Sequence, residues 1–278
     1  MTTHPHAGEE ARRITEAGTV LRTRVGSGVH GTALAGQDDR DEVGLCLEPR
    51  RFATGAARVR TPTGRLVPFE QYEFHTAWER PRGLREPSGP GDLDVVVYGA
   101  RKWARLALAG NPAVLLPLWV PGTEVVRVTE AGEGLRRESW RFASRAAGRR
   151  FLGHLRAQRQ ALTGERRPGA ARRARSASPT DHAPKPATHA LRLGLQGLEL
   201  LRTGRVTLPV PEPDLTELRA VRRGERSLAQ VLARLDDLEA DLERESRTAD
   251  LPQDADRAWL DGWLHRSHEE FWARTDAA

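Results

Sequence analysis

The sequence is poor in several residue types, and each shortage excludes a class of protein. One cysteine, Cys46, among 278 residues excludes an intramolecular disulfide and a cysteine-based zinc cluster. No apolar run approaches the ~18 residues that a membrane-spanning helix needs. Residues 1–30 contain no apolar segment typical of a secretory signal. We therefore expect a soluble, cytoplasmic protein with no membrane partner.

Lysine is also scarce, although the net charge is +6 and 44 side chains are Lys or Arg. Only Lys102 and Lys185 are lysines, so arginine supplies almost all of the positive charge. A lysine is a compact point charge and an arginine is a planar fork, so the two are not interchangeable at a phosphate. Both lysines are therefore candidate phosphate ligands. The helical context of Lys102 favours a surface role, whereas Lys185 is favoured as a functional residue.

Strand and helix signals alternate in the first half of the chain. A β-prone run predicts a strand that ends at Gly26, and four consecutive apolar residues predict a later strand that is buried on both faces. Residues 53–91 are rich in Gly, Pro and Arg, and they predict an irregular excursion with one hairpin. The predicted strands are 19–25, 42–47 and 92–99, and the predicted helices are 29–35 and 100–110.

Beyond about residue 135 the pattern becomes helical. Residues 136–175 contain thirteen arginines and two glutamates, and residues 163–186 lack large apolar side chains, which predicts a disordered linker. An Arg-rich block of this kind is either a solvated charge run or a track for a nucleic-acid backbone. Helices are predicted over 187–203, 214–222 and 226–247, and a last helix with Trp259, Trp263, Phe271 and Trp272 is expected to close a bundle. We therefore expect two domains, a catalytic domain over 1–135 and an Arg-rich, helical domain over 136–278.

The segment GSGVHGTALAGQDDRDEVG, residues 26–44, carries the strongest chemical signal. A Gly-Ser turn at the start of a helix presents backbone N–H groups and a hydroxyl to phosphate oxygens. Asp39 and Asp41 are two residues apart on an incipient strand, so their side chains point the same way. Paired carboxylates of this kind suit Mg²⁺ with a nucleotide's phosphates. Asp94 is the candidate third carboxylate on a neighbouring strand, and Asp92 competes with it because it has the same strand parity.

Four segments of the chain resemble the RNA-ligase-associated polymerase-beta family (RlaP) of the DNA polymerase beta nucleotidyltransferase superfamily, and they occur in the family's order. They are GSGVHGTALAGQDDRDEVG, DLDVVVYGARKWARLALAGNPAVLLPLW, KPATHALRLGLQGLELLRTGRVTLP and LRAVRRGERSLAQVL. Together they cover most of residues 19–245. The chain departs from the family at Asp38, where serine is common, and in the unusual Arg-, Ser- and Pro-rich stretch near 163–186.

The resemblance implies an α+β fold: a polymerase-beta-like nucleotidyltransferase palm with a mixed sheet and helices, followed by a C-terminal helical domain. It implies that Gly26 and Ser27 hold the β- and γ-phosphates of a nucleotide triphosphate. By the same resemblance, Asp39 and Asp41 bind two Mg²⁺ ions, and Asp94 binds the catalytic one and helps to deprotonate the attacking hydroxyl. It also implies a role in RNA repair or RNA end modification, with RNA as the partner.

Four further residues are candidate nucleotide ligands besides the aspartates and the Gly-Ser turn. Lys185, His189 and Arg192 are four and then three residues apart, so they share one face of a helix that extends back to Lys185. That face either points into a cleft, where it would meet the triphosphate, or is a solvated basic surface. His30, in the turn, either approaches the nucleotide or fills space. The lone Cys46, between two leucines, is expected to be a buried small apolar residue.

Three functions remain open at this stage. The leading one is an Mg²⁺-dependent nucleotidyltransferase that moves a nucleoside monophosphate from an NTP to an RNA hydroxyl and releases pyrophosphate. A second keeps this chemistry and changes the acceptor to a protein hydroxyl or a small molecule. A third is a catalytically idle RNA-binding or regulatory module that uses the Arg-rich block.

Overall fold

The computed structural model describes residues 4–36, 39–81, 88–164 and 184–276. These residues form two compact units. The first unit comprises the described residues of Met1–Leu108, Ala113–Ser139 and Asp256–Ala278, and the second those of Ala109–Pro112 and Trp140–Ala255. Of the predicted linker 163–186, residues 165–183 lie outside the described residues. None of the described helices combines the length and the apolar character needed to cross a bilayer.

The first unit is built around a five-stranded mixed sheet with the order β5-β6-β2-β1-β7. β2 and β6 run parallel, while β1 runs antiparallel to β2 and β7, and β5 runs antiparallel to β6. β3 and β4 form a separate two-stranded hairpin. The strands are β1 (Thr19–Val25), β2 (Arg40–Cys46), β3 (Val59–Arg60), β4 (Leu66–Val67), β5 (Gln71–His75), β6 (Leu93–Gly99) and β7 (Val125–Val128).

Seven of the described α-helices accompany this sheet, and the other four form the second unit. The first group is α1 (Glu9–Gly18), α2 (Ser27–His30), α3 (Arg50–Ala53), α4 (Ala100–Leu108), α5 (Pro112–Leu115), α6 (Glu130–Arg137) and α11 (Arg257–Asp276). The second group is α7 (Arg145–Thr163), α8 (Pro184–Thr203), α9 (Asp214–Arg222) and α10 (Leu228–Thr248). The chain therefore has the expected α+β fold, with a mixed sheet and a helical unit.

Most of the elements predicted from the sequence are present, with small differences in their ends, but the predicted helix 29–35 was misplaced, since α2 covers Ser27–His30 and ends before residue 31. β1 and α9 have the predicted bounds, and the predicted hairpin of the excursion is β3–β4. β5 was not predicted, although it pairs with β6 in the main sheet. The prediction that β6 is buried on both faces was wrong, since Val95 and Val97 are buried while Val96 and Tyr98 are only half-buried. This alternation is typical of a strand with one fully covered face.

One face of the sheet packs against α1 and the excursion. Its core cluster is Ala11, Ile14, Cys46, Phe52, Val59, Phe69, Val95 and Val97. Cys46 is fully buried, as predicted, and burial raises the pKa of its thiol. The side chain of Cys46 is therefore a packing group in this core.

The last helix, α11, belongs to the first unit, so the prediction that it closes the helical bundle was wrong. Trp263 Nε1 donates to the carbonyl of Ala131 at 3.1 Å, and Trp272 Nε1 donates to the carbonyl of Glu48 at 2.8 Å. An aromatic face predicts that a helix is buried, but it does not identify the surface that covers it.

Glu48 makes the central contacts between α11 and the rest of the first unit, and we call its pair with His268 the anchor. Its side chain is 4% exposed, and its Oε2 accepts a hydrogen bond from His268 Nε2 at 2.9 Å. Its Oε1 accepts from the backbone N–H of Arg101 at 3.2 Å, at the start of α4. An ionised carboxylate is favoured at the N-terminus of a helix and beside an imidazole donor. The pair therefore ties β2, α4 and α11 together.

The helical unit packs closely around α8. A Cβ at Gly194 would lie 2.9 Å from side-chain atoms of Leu155 and Leu238, and one at Gly197 would lie 2.8 Å from Phe151. Glycine at these positions allows α7 and α10 to approach the α8 backbone. α10 buries an apolar face in this unit, formed by Val231, Leu235, Leu238 and Leu242.

We expect the substitution His268→Leu to lower the free energy of unfolding by about 3 kcal/mol, because the buried carboxylate of Glu48 loses its side-chain partner. His268→Gln retains an N–H donor near the position of Nε2, so it should lose less. Urea unfolding measures both changes. His265→Leu, on an exposed position of the same helix, is the matched control and should change stability by less than about 0.5 kcal/mol. Equal stabilities for His268→Leu and the control would contradict the anchor.

Candidate active site

Three aspartates converge at one end of the parallel strand pair. Asp39, Asp41 and Asp94 are half-buried, and each offers a carboxylate oxygen within 4.8 Å of the others. The register explains this meeting, because Asp41 on β2 lies directly beside Asp94 on β6. Asp39 is two residues before Asp41, so the alternation of an extended chain brings it to the same face. The sheet therefore places three like charges side by side.

This cluster fits a divalent cation. All three ligand groups are carboxylates, which are the hard oxygen donors that Mg²⁺ and Mn²⁺ prefer over the softer zinc ligands. Their spacing also allows one ion to contact more than one of them. A bound cation would relieve the mutual repulsion of the three groups.

Gly26, which follows β1, lies against the acidic cluster. Its φ of 83° and ψ of −165° lie in a region that is essentially restricted to glycine. A Cβ at this position would also lie 2.4 Å from Asp41 Oδ2. The backbone of the Gly-Ser turn can therefore lie this close to the Asp41 carboxylate because residue 26 has no side chain. Ser27, which begins α2, lies next to this contact.

Asp94 is held by two donors that the sequence analysis did not identify. His75 Nδ1 lies 2.9 Å from Asp94 Oδ1, and Ser88 Oγ donates to the same oxygen at 2.7 Å. Both residues belong to the Gly-, Pro- and Arg-rich excursion. The nearest sequence signal is the alternation of QYEFH, which forms β5.

Asp92 has a different role, although it shares the strand parity of Asp94. Its carboxylate accepts hydrogen bonds from the backbone N–H of Gly89 at 2.7 Å, from Thr76 at 2.9 Å, and from Arg80 at 2.6 and 2.7 Å. These donors, with the Gly89 N–H first, lower the pKa of Asp92. Asp94 and not Asp92 is therefore the third member of the acidic cluster in the structure.

Other residues singled out in the sequence have varied surroundings. His30 is buried, which favours a structural role, and its contact with nucleotide stays a prediction. Lys102 Nζ donates to Gln71 Oε1 at 2.6 Å and to Glu70 Oε2 at 3.1 Å. These contacts with polar side chains fit the surface role favoured for this lysine. Asp38 lies outside the described residues.

Lys185, His189 and Arg192 lie on α8 in the second unit, which extends back to Lys185 as expected. Arg192 Nη2 is 3.2 Å from His189 Nδ1, and Arg192 Nη1 donates to Gln196 at 3.0 Å. Loss of hydration, together with Arg192, lowers the pKa of His189 to about 4. His189 is therefore neutral near neutral pH, while Arg192 stays charged. Their role in nucleotide binding stays a prediction.

Residues 4–266 match the family model described as RlaP, the RNA repair pathway DNA polymerase beta family. The chain belongs to this family. A similar solved structure is that of a nucleotidyltransferase-like protein from Exiguobacterium sibiricum 255-15. The similarity has a TM-score of 0.28 and 11% identity, and it covers 86% of this chain and 72% of that chain. No curated protein matches the chain. The family match confirms the resemblance, and the chain is a polymerase-beta-family nucleotidyltransferase by membership.

We expect Gly26→Ala in this RlaP-family chain to weaken binding of Mn²⁺, a probe for the cation, by about tenfold, since the new Cβ displaces the Asp41 carboxylate. It should also lower stability by about 1–3 kcal/mol because of the strained backbone. Calorimetric titration with Mn²⁺ and thermal unfolding measure the two effects.

Gly28→Ala is the matched control for this change, because a Cβ at Gly28 meets no atom within 4 Å. Its Mn²⁺ affinity should equal that of the wild type. A Gly26→Ala variant with wild-type Mn²⁺ affinity would contradict the close contact between the turn and Asp41.

Proposed function

We propose that this chain is an Mg²⁺-dependent enzyme that transfers a nucleoside monophosphate from an NTP to a hydroxyl of RNA and releases pyrophosphate. The observation that carries the proposal is the convergence of Asp39, Asp41 and Asp94 beside the Gly-Ser turn. Membership in a family described by an RNA repair pathway supports the choice of RNA. The net charge of +6 is also suited to a polyanionic acceptor.

In this proposal Asp39 and Asp41 would hold both Mg²⁺ ions and Asp94 the catalytic one. Bound Mg²⁺ would polarise the phosphoryl oxygens and neutralise the charge on the leaving pyrophosphate. Ser27 and the backbone of the Gly-Ser turn would bind the β- and γ-phosphates, which fixes the α-phosphorus near the carboxylates.

The chemical step is an in-line displacement at the α-phosphorus. The acceptor oxygen forms a bond to that phosphorus, and the bond from phosphorus to the oxygen that bridges to the β-phosphate breaks. Pyrophosphate leaves with the electron pair, and the carboxylate of Asp94 helps to take the proton of the attacking hydroxyl.

The arginine block supports an RNA acceptor only in part. Arg149 and Arg150 are exposed on α7 and can meet a phosphate backbone. Arg156 and Arg159 instead pair with Glu239 of α10, at 3.3 and 3.1 Å. Arg156 and Arg159 therefore contribute to packing the helical unit, while Arg149 and Arg150 are exposed to a polyanion.

The test is incubation with each α-labelled NTP, Mg²⁺ and total cellular RNA, followed by gel analysis. We expect labelled RNA from the wild type and background label from the double variant Asp39→Asn/Asp41→Asn. Glu42→Gln removes a negative charge from the same strand outside the cluster, so it should retain activity.

Thermal unfolding supplies an independent readout for the same variants. The double variant should be at least as stable as the wild type without Mg²⁺, because two repelling charges are gone, and Mg²⁺ should no longer raise its melting temperature. Persistent label transfer by the double variant would remove the proposed metal site. Label on protein or on a low-mass product would change the acceptor, and salt-sensitive RNA binding without turnover of any NTP would contradict an enzyme.

A further inference from the structure

The hydrogen bonds to Asp94 are strongly asymmetric. Both donors, His75 Nδ1 and Ser88 Oγ, approach Oδ1, at 2.9 and 2.7 Å. A carboxylate can only accept hydrogen bonds, so Nδ1 of His75 carries a proton in this contact. Two donors on one oxygen fix the rotation of the carboxylate about its Cβ–Cγ bond. Within the described residues, both donors use Oδ1, so Oδ2 is left for another ligand.

The His75 ring is itself held in place from several sides. His75 on β5 lies directly opposite Asp94 on β6, so the antiparallel register brings the two side chains together. The ring packs on Trp78, with centroids 4.1 Å apart and planes 34° apart. Trp78 packs in turn on His4, with centroids 4.7 Å apart. Strand register and ring packing therefore both set the position of Nδ1.

Ser88 is held by a second network at the same end of the sheet. Gly89, the next residue, donates its N–H to Asp92 Oδ2 at 2.7 Å, and Arg80 binds both oxygens of Asp92. Thr76 donates to Asp92 and accepts from the backbone N–H of Leu93 at 3.0 Å. The turn before β6 is therefore tied to the segment after β5.

We propose that His75 is a positioning residue that orients Asp94 for cation binding, with Ser88 as the second donor. The proposal rests on the proposed function, since it assumes that Asp94 holds a metal ion. Hydrogen bonds to a metal-binding carboxylate orient it, and their removal lowers metal affinity by about 10–100-fold. Neither donor touches the NTP or the acceptor in this proposal.

The experiment compares His75→Asn with His75→Leu, which have similar size and differ in hydrogen bonding. The amide nitrogen of Asn occupies nearly the position of Nδ1, so His75→Asn should retain Mn²⁺ affinity within about threefold of the wild type. His75→Leu should weaken Mn²⁺ binding by about 10–100-fold. Free Mn²⁺ is counted by electron paramagnetic resonance without any turnover, and unfolding without metal confirms that both variants are folded.

Two further variants make the result decisive. Ser88→Ala removes the other donor without altering the ring packing, and it should weaken Mn²⁺ binding in the same direction, which keeps the test valid if His75→Leu fails to fold. Asp94→Asn reports on the metal site itself. If the wild type does not bind Mn²⁺, or if Asp94→Asn binds it equally well, the proposed metal site fails.

If Asp94→Asn loses Mn²⁺ while His75→Leu and Ser88→Ala bind it like the wild type, the positioning role fails and the proposed function stands. Equal losses in His75→Asn and His75→Leu would also overturn it, because the hydrogen bond would then be irrelevant and ring packing would explain the effect.

Discussion

The parallel pairing of β2 with β6 is the constraint on which the site depends. It runs from Arg40 beside Leu93 to Cys46 beside Gly99, and it places Asp41 beside Asp94. At an effective dielectric constant of about 20, two unit charges 4.8 Å apart repel by about 3.5 kcal/mol. Ladder hydrogen bonds and the burial of Leu45, Cys46, Val95 and Val97 oppose this repulsion. The sheet therefore holds the carboxylates together before any cation is present.

The same two strands carry a very different carboxylate at their other end. Glu48 follows β2 closely and is buried, but it receives hydrogen bonds from His268 and from the first turn of α4. Glu48 is a buried acid whose partners are donors, which stabilises the fold, whereas Asp39, Asp41 and Asp94 place like charges side by side, and a bound cation would offset their repulsion. The partners of each carboxylate therefore distinguish the structural acid Glu48 from the candidate metal ligands.

The acidic motif could be predicted from the sequence because its chemistry is local. Gly26, Asp39 and Asp41 lie within one short segment, and strand parity alone brings the two aspartates to one face. His75 could not be found in this way, since it reaches Asp94 only through the pairing of β5 with β6. Ser88 could not be found either, since it reaches Asp94 only through the fold of the turn before β6. The helix α11 was misplaced for a similar reason. Its aromatic residues predict burial, but its partners Ala131 and Glu48 are remote in sequence.

Asp92 and Asp94 illustrate the limit of parity as an argument. Asp92 immediately precedes β6 and Asp94 is its second residue, so the two have the same strand parity. Only their hydrogen-bond partners distinguish the roles of the two carboxylates. Arg80 neutralises Asp92, so this fourth carboxylate adds little to the repulsion at the neighbouring cluster. The same ion pair anchors the turn that carries Ser88, which donates to Asp94. Asp92 therefore helps to hold the turn whose Ser88 orients Asp94. The sequence made Asp92 an alternative metal ligand, but in the structure it supports the site.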